Sequence, residues 1–367
     1  MKHLLFILMG IIALPAAVGG TNNYADNNRD LFLLPRSSAV GTSDFVFNRD
    51  GTNQSNPANL AGDSSSELCL AYAGFYQNAI SASILSYSAP ITKYSGIGFS
   101  IGYLYNPDIP ITENLETMND GLDVVPIYDP SRITYRSESE IYVHFGYGYK
   151  RAIFSGIEAA AGIAFNALRH NLPPYRGYGI GCDGGVVLDF VNMGLRTAVG
   201  LENITTNYTQ WSKEWGITAP PHVRFGIGWQ KDISYLYGRI QLQFKTLDLL
   251  ANEEVNSVDL DSALDDASDQ QVRPVNRHFT NDPLYFLYSG VYGLEYTVQK
   301  ALSLRVGIPV GGGWGDDWTR FFFGCGVHLL KKRLSVDISY LSHELDGTYQ
   351  LGVTYRWRND SINKNSR

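Results

Sequence analysis

Alternation of apolar and polar residues is the dominant pattern of this 367-residue chain. In residues 239–245, Ile240, Leu242 and Phe244 share one face of an extended strand, and charged or amide side chains share the other. Most such segments have about nine to fourteen residues, the length of a tilted membrane strand rather than of a mean soluble strand. The pattern predicts strands at 67–75, 79–89, 94–105, 137–149, 154–168, 177–190, 193–203, 222–230, 235–247, 285–298, 301–308, 319–330, 333–341 and 347–357.

The connections between these segments separate a membrane barrel from a soluble β-sandwich. Short links are predicted after residues 149, 190, 230, 298 and 330. Long links are predicted after residues 105, 168, 203, 247 and 308. Outer-membrane barrels place short turns on the periplasmic side and long loops outside, and an even strand number leaves both termini in the periplasm. The sequence therefore predicts an all-β fold, a fourteen-stranded antiparallel transmembrane β-barrel, with a periplasmic β-sandwich as the alternative.

The two ends of the chain differ from this strand pattern. Residues 1–20 have a basic start, an apolar run and small residues before a cleavage point, which predicts a secretory signal peptide. Residues 21–66 are expected to form an N-terminal extension and hatch, residues 67–358 the barrel, and residues 359–367 a polar tail. The expected location is the bacterial outer membrane, with its lipid as the first partner.

Composition excludes several classes of function. The formal net charge of -7 gives no basic surface for nucleic acid, so none is expected as a partner. Cys69, Cys182 and Cys325 are far apart, each within a predicted strand, and are interpreted as small wall residues. No nucleophile-and-base arrangement is evident, so neither an enzyme nor a cofactor is expected.

Two local motifs can be interpreted either as a ligand site or as ordinary structure. Five aspartates lie in the loop at 253–269, and oxygen-rich clusters can bind calcium, but their spacing does not fit an EF-hand, so a solvated acidic loop is favoured. Residues 179–184 match the G-x-G-x-x-G pattern of nucleotide sites, but they lie inside a predicted strand and are interpreted as wall glycines. The aspartates are Asp259, Asp261, Asp265, Asp266 and Asp269.

Charged residues recur on the strand faces that would line the barrel lumen. They could form a polar conduit or binding site, or a salt-bridged interior that fills the barrel; the second is favoured because buried charges must pair. The set consists of Glu140, His144, Glu158, Asp183, Arg196, Glu202, Arg224, Arg239, Lys245, Arg305, His328, Asp337 and Arg356.

Three short segments precede the first strand, at 34–41, 43–45 and 56–61. Their small residues, their glycine and the Asn-Pro-Ala sequence at 56–58 resemble the N-terminal hatch of the PorV/PorQ family of outer-membrane proteins, relatives of the FadL long-chain fatty-acid transporters. The resemblance implies a fourteen-stranded barrel with the N-terminal segment tucked inside as a plug. The expected hatch residues are Ser38, Gly41, Asn56, Pro57, Ala58 and Leu60.

Three hypotheses for the function are considered. The leading hypothesis is a PorV/PorQ-type accessory in protein secretion or surface attachment of the type IX kind, whose partner is a secreted protein or a component of the secretion machinery. The alternative is a FadL-type channel for hydrophobic small molecules. A purely structural barrel is the third. The sequence does not decide whether the lumen is open.

Overall fold

The structure is a computed structural model. It describes residues 31–47, 56–62, 65–111, 116–119, 123–126, 133–204, 207–212, 217–219, 221–246, 248–250, 253–258, 272–277, 280, 282–299, 301–310, 321–330, 333–342 and 347–358. The signal peptide, the tail at 359–367 and the aspartates of the predicted acidic loop lie outside the described residues. Among the described residues, no helix is long and apolar enough to cross a membrane.

Twenty strands are described, and they are numbered here in chain order. They are β1 Ser65–Phe75, β2 Ile80–Pro90, β3 Ser95–Ile111, β4 Glu116–Asn119, β5 Asp123–Pro126, β6 Thr134–Phe154, β7 Ile157–Leu172, β8 Tyr175–Phe190, β9 Leu195–Glu202, β10 Asn207–Trp211, β11 Ile217–Ala219, β12 His222–Ile233, β13 Gly238–Thr246, β14 Glu253–Val258, β15 Val272–Arg277, β16 Gly290–Val298, β17 Leu302–Val310, β18 Phe322–Leu329, β19 Leu334–Leu341 and β20 Thr348–Arg358.

Fourteen of the described strands close into an antiparallel barrel. The ring runs through β8, β7, β6, β3, β2, β1, β20, β19, β18, β17, β16, β13, β12 and β9, and it closes because β9 also pairs with β8. Closure pairs the first and last barrel strands, with Cys69 opposite Thr354. It leaves no open edge among these fourteen described strands, which a hydrocarbon environment requires. The fourteen-stranded barrel predicted from alternation is confirmed.

Alternation along each strand separates lipid-facing from luminal residues. On β1, Leu68, Leu70 and Tyr72 are exposed, whereas Cys69 and Ala71 between them are buried. The same period of two runs along β17, where Leu304 and Val306 face out and Arg305 is buried. An apolar exterior around a polar interior is the pattern of an outer-membrane barrel rather than of a soluble sandwich.

The two ends of the barrel differ. At the end that holds both barrel termini, the links lie at 91–94, 155–156, 191–194, 234–237, 299–301 and 330–333. The opposite end carries the longer links at 112–133, 203–221, 247–289 and 311–321. Two hairpins, β4–β5 and β14–β15, form separate two-stranded sheets in these long links. We therefore assign the short-link end to the periplasm and the other to the outside.

Two predicted connections were wrong. The link after residue 168 is short, because β7 and β8 continue to a two-residue turn at Pro173 and Pro174, so this outer connection does not follow the predicted alternation. Residues 150–153 belong to β6 rather than to a turn, and the turn comes at 155–156, where Gly156 has a positive φ of 79°. Polar and small residues marked turns in the sequence, but the strands extend past them.

The strand predicted from residue 285 begins later. Residues Pro283–Tyr288 form a short helix, α2, and β16 starts at Gly290. Proline occupies the first turn, and the Asp282 side chain accepts a hydrogen bond from the Tyr285 backbone N–H at 3.2 Å. A capping aspartate followed by proline favours a helix start, and this local signal overrides the apolar run that suggested a strand.

The N-terminal segment lies inside the barrel and is called the plug, residues 31–47 and 56–62. It contains helix α1, Pro35–Ala39, and two 3₁₀ turns, Ser43–Val46 and Pro57–Leu60. The Asn56 side chain caps the second turn by accepting from the Ala58 N–H at 3.0 Å. The plug packs against strands on all sides of the barrel, so it crosses the lumen.

Wall glycines make this close approach possible. A Cβ at Gly162 would lie 2.3 Å from the carbonyl carbon of Pro57, and one at Gly307 would lie 2.5 Å from that of Val40. Real Cβ atoms do not come so near backbone atoms, so at these positions the wall backbone touches the plug backbone directly. Glycines that contact the plug occur on nine strands: Gly96, Gly102, Gly146, Gly148, Gly162, Gly185, Gly226, Gly228, Gly293, Gly307, Gly324 and Gly352.

We expect Gly162→Ala and Gly307→Ala each to lower the free energy of unfolding by about 1–3 kcal/mol, because the added methyl group meets plug backbone that cannot yield locally. Denaturant titration in detergent micelles, followed by heat-modifiable gel migration, measures the change. Gly184→Ala is the matched control, because its nearest atom is the flexible Ile204 Cδ1. Equal losses in all three variants would contradict close seating of the plug.

Candidate functional site

An apolar cluster occupies the lumen on the side of strands β1, β2, β3, β6 and β7. Strand register places Ile84 opposite Gly102, Gly102 opposite Tyr142, and Tyr142 opposite Leu168, so these residues lie at one level around the wall. Leu104 lies one inward position nearer the outside on β3. We call this the apolar chamber, defined by Ile84, Leu104, Tyr142 and Leu168 together with Phe32 of the plug.

Phe32 fills the apolar chamber. Its side chain has 0% exposure, and its ring stacks on Tyr142 with 5.7 Å between centroids and 10° between planes. Gly102 leaves the space for it, because a Cβ there would lie 2.3 Å from Phe32 Cδ1. Leu34 of the plug packs in the same cluster. The chamber is thus a closely packed apolar cluster, in which Phe32 and Leu34 of the plug fill the space between the wall residues.

Ion pairs occupy the opposite side of the lumen, beneath α1. Arg305 is 1% exposed at its side chain and bridges two carboxylates, with its Nε 3.0 Å from Glu295 and its Nη1 2.6 Å from Asp337. Arg36 of α1 reaches the same Glu295 oxygen at 3.3 Å. Next to them, Arg356 pairs with Glu67 across the β1–β20 seam. Three guanidiniums thus face three carboxylates.

The predicted luminal residues nearer the periplasm also pair. Glu158 accepts from Lys150 at 2.9 Å. Arg196 lies 3.2 Å from Asp189 and stacks over Phe47 of the plug. Arg239 pairs with Asp232 at 2.7 Å, but both side chains are largely exposed, so this pair lies at the rim.

Arg224 binds Glu202, and Lys245 donates to the Thr42 hydroxyl of the plug. His328 shares a 2.9 Å hydrogen bond with Ser303. Asp183 accepts from Asn166 Nδ2 at 2.7 Å and from the Asn203 N–H at 2.9 Å.

Glu140 and His144 flank Tyr142 on the luminal face of β6, and both are buried. Glu140 lies opposite His170 on β7, with 3.6 Å between its Oε2 and the Nδ1 of that histidine. The predicted luminal set is therefore divided: one group surrounds the apolar chamber, and the other forms ion pairs along β12–β20 and the periplasmic rim.

The predicted hatch residues lie in the plug and are buried where they contact the wall. Asn56 faces Gly185, Pro57 faces Gly162, and Leu60 packs on Gly146. Gly41 has a positive φ of 60° and lies against Phe322 and Val291. Ser38 is buried in α1, and Ala58 is buried with Phe45 in a second apolar cluster of the plug.

Several contributing residues were not identified from the sequence. Phe32 precedes the resembling motif, and Arg36 lies within it without having been assigned a partner. Glu295 lies on the strand whose start was predicted wrongly, which hid its inward position. The signal available for Phe32 was its place in the apolar run at 31–34, which follows the polar residues 21–30 and predicts burial but not the partner.

A polar cavity of about 660 Å³ opens beneath the plug on the periplasmic side. Its lining includes Arg36, Gln241, Thr297, His328 and Arg356. The lining charges are paired with one another, as described above. Among the described residues, no group of three or more His, Cys, Asp or Glu side chains could hold a metal ion. All three cysteines are free thiols in barrel strands.

Comparison with known proteins gives distant likenesses. No protein-family model matches the chain, and no curated protein does. It is similar to the structure of the Ralstonia pickettii toluene transporter TbuX, with 12% identity, a TM-score of 0.47 and coverage of 89% of this chain and 98% of that one. It is also similar to the Pseudomonas putida toluene transporter TodX, with 11% identity, a TM-score of 0.42 and coverage of 88% of this chain and 97% of that one. A third similar structure is that of a Pseudomonas aeruginosa FadL homologue, with 9% identity, a TM-score of 0.43 and coverage of 88% of this chain and 98% of that one.

These values are too low to carry an argument about activity. The barrel and its apolar exterior stand on the geometry of the chain itself. The PorV/PorQ resemblance stays a prediction.

We expect Arg305→Met to lower the free energy of unfolding by about 3–5 kcal/mol, because Glu295 and Asp337 would lose their shared buried partner. Arg239→Met removes an exposed pair and should cost about 0–1 kcal/mol. Denaturant titration of both variants in the same micelles gives the comparison. Similar small losses would show that the ion-pair cluster is not closed to solvent.

Proposed function

We propose that the protein admits hydrophobic small molecules through the outer membrane, as a FadL-type channel does. The observation that carries this proposal is the apolar chamber, which lies inside the barrel, toward the outside, and is lined by Ile84, Leu104, Tyr142 and Leu168. An apolar site within the lumen suits a guest that gains free energy by leaving water. Transport of this kind requires no catalytic residue.

A guest can enter the chamber only if the plug moves. Phe32 occupies the chamber, so a guest has to take its place on Tyr142. Burial of apolar surface contributes about 25 cal/mol per Å², whether the surface belongs to Phe32 or to the guest. A guest ring of similar size therefore gains about as much free energy in the chamber as Phe32 does. A PorV/PorQ-type role in secretion would not require this chamber, because such a role would depend on the external loops.

We expect Leu104→Asn and Leu168→Asn to reduce uptake of an apolar solute by on the order of tenfold, because each places an amide in the chamber at about the cost of an unpaired polar group. Uptake of radiolabelled toluene by cells that express the full chain provides the measurement. Leu284→Asn is the control, because Leu284 lies on α2 and is 71% exposed. Heat-modifiable migration verifies folding of each variant.

Unchanged uptake in both chamber variants, with the wild-type rate above that of cells lacking the protein, would contradict passage through this chamber. Uptake no higher than in cells lacking the protein would contradict the transport function itself.

A secretion or surface-attachment accessory is the second candidate, and one observation favours it. The hairpins β4–β5 and β14–β15 stand outside the barrel sheet at the external end, where a secreted protein could bind them. We expect deletion of the β14–β15 hairpin to abolish crosslinking of a secreted protein to intact cells while leaving toluene uptake unchanged. Retained crosslinking, or no crosslinked protein with the wild type, would contradict this role.

A further inference from the structure

A cluster of polar side chains on β3, β6 and β7 lies next to the apolar chamber, on its external side. One inward position beyond the pair Tyr142–Leu168, the register places Glu140 opposite His170, and one position further it places Asn106 opposite Glu138. We call Glu138, Glu140 and His170 the acidic collar. A guest that enters the chamber from outside passes the collar first.

The collar is held by its own contacts. His170 Nε2 lies 2.5 Å from Glu138 Oε1, and its Nδ1 lies 3.6 Å from Glu140 Oε2, so the imidazole lies between the two carboxylates. Asn106 Nδ2 donates to Glu138 Oε2 at 3.2 Å. Trp211 of β10 packs on His170, with 5.0 Å between ring centroids. Glu138 is therefore held at the mouth of the chamber by His170 and Asn106, and Glu140 is buried beside it.

The charged groups of this region lie at two levels of the barrel. The inward groups are two carboxylates, the His170 imidazole, the Asn106 amide and, beyond them, Arg136, whose guanidinium donates to the Pro173 carbonyl oxygen at 3.0 Å. Because Arg136 binds the turn at the outer rim, the negative groups are the ones nearer the chamber.

A second, independent feature points to a guest with a polar head group. Thr209 on β10 lies opposite Gly179, which lies opposite Leu168 of the chamber. Thr209 is 2% exposed, and among the described residues its Oγ1 has no hydrogen-bond partner. A buried hydroxyl without a partner is costly and uncommon. At the edge of the chamber it can bind the polar atom of a guest whose apolar part replaces Phe32.

We infer that the chamber selects apolar molecules that carry an amine, and rejects apolar carboxylates of the same size. This inference rests on the proposed function and specifies its substrate class. An ammonium group at the collar meets two carboxylates, whereas a carboxylate group meets like charge and loses hydration in the same place. The apolar part of the guest lies on Tyr142, and Thr209 accepts from or donates to its head group.

The test is equilibrium binding of three size-matched probes to the purified full chain in zwitterionic detergent: 4-fluorobenzylamine, 4-fluorobenzyl alcohol and 4-fluorobenzoate. Fluorine-19 line broadening gives the affinity of each, with empty micelles as the blank. The wild type is expected to bind the amine on the order of tenfold more tightly than the benzoate, with the alcohol between them. Glu140→Gln and Glu138→Gln should each reduce that ratio several-fold.

Two further variants separate selectivity from folding. Glu158→Gln, at the periplasmic end, removes a carboxylate of the same type and should leave the ratio unchanged. Thr209→Val should weaken binding of the alcohol while leaving the amine-to-benzoate ratio near the wild-type value.

Equal binding of all three probes, or a ratio that both collar variants leave unchanged, would overturn the selectivity while leaving the apolar channel standing. No binding of any probe, nor of toluene, would overturn the proposed function together with it.

Discussion

The rest of this structure depends on one constraint: every backbone N–H and C=O group that lies in lipid must be hydrogen-bonded within the protein. A closed ladder from β8 around to β9 pairs the strands without an open edge, and only closure allows Leu70 or Leu304 to face hydrocarbon beside a fully paired backbone. A fourteen-stranded ring encloses a wide interior, which the plug crosses. Glycines at the contact positions let two backbones meet, so the wall has given up side chains where the plug supplies them.

The filled interior is chemically divided. Beneath α1 the strands supply paired charges, and opposite them they supply the apolar chamber. The two regions need different neighbours, because a buried ion pair tolerates no loss of a partner, whereas an apolar surface accepts any apolar group of suitable shape. A plug in contact with both can be held firmly on one side while the other remains available for exchange.

Alternation predicted the barrel, because lipid and lumen impose a period of two on every spanning strand, as on β6 and β17. It could not predict where strands end, since β7 and β8 extend past the polar residues that mark turns elsewhere. The luminal face of Arg305 followed from its strand, but its partners did not. Glu295 and Asp337 come from other strands, and only register brings them within 3.0 Å and 2.6 Å. The position of Phe32 in the chamber could not be predicted either, because it depends on how the plug folds inside the barrel.

The short distance between Phe32 and Arg36 along the chain joins the two regions mechanically. Arg36 fixes the start of α1 to Glu295, which Arg305 holds in place, so α1 is anchored to the wall. Phe32 lies four residues earlier, and the described contacts that hold it are apolar, with Tyr142 as its stacking partner. A guest of the proposed channel would compete with those contacts but would offer nothing to the ion pairs. Displacement should therefore stop at α1, so that the chamber can open to the outside while the rest of the plug stays seated on its glycines.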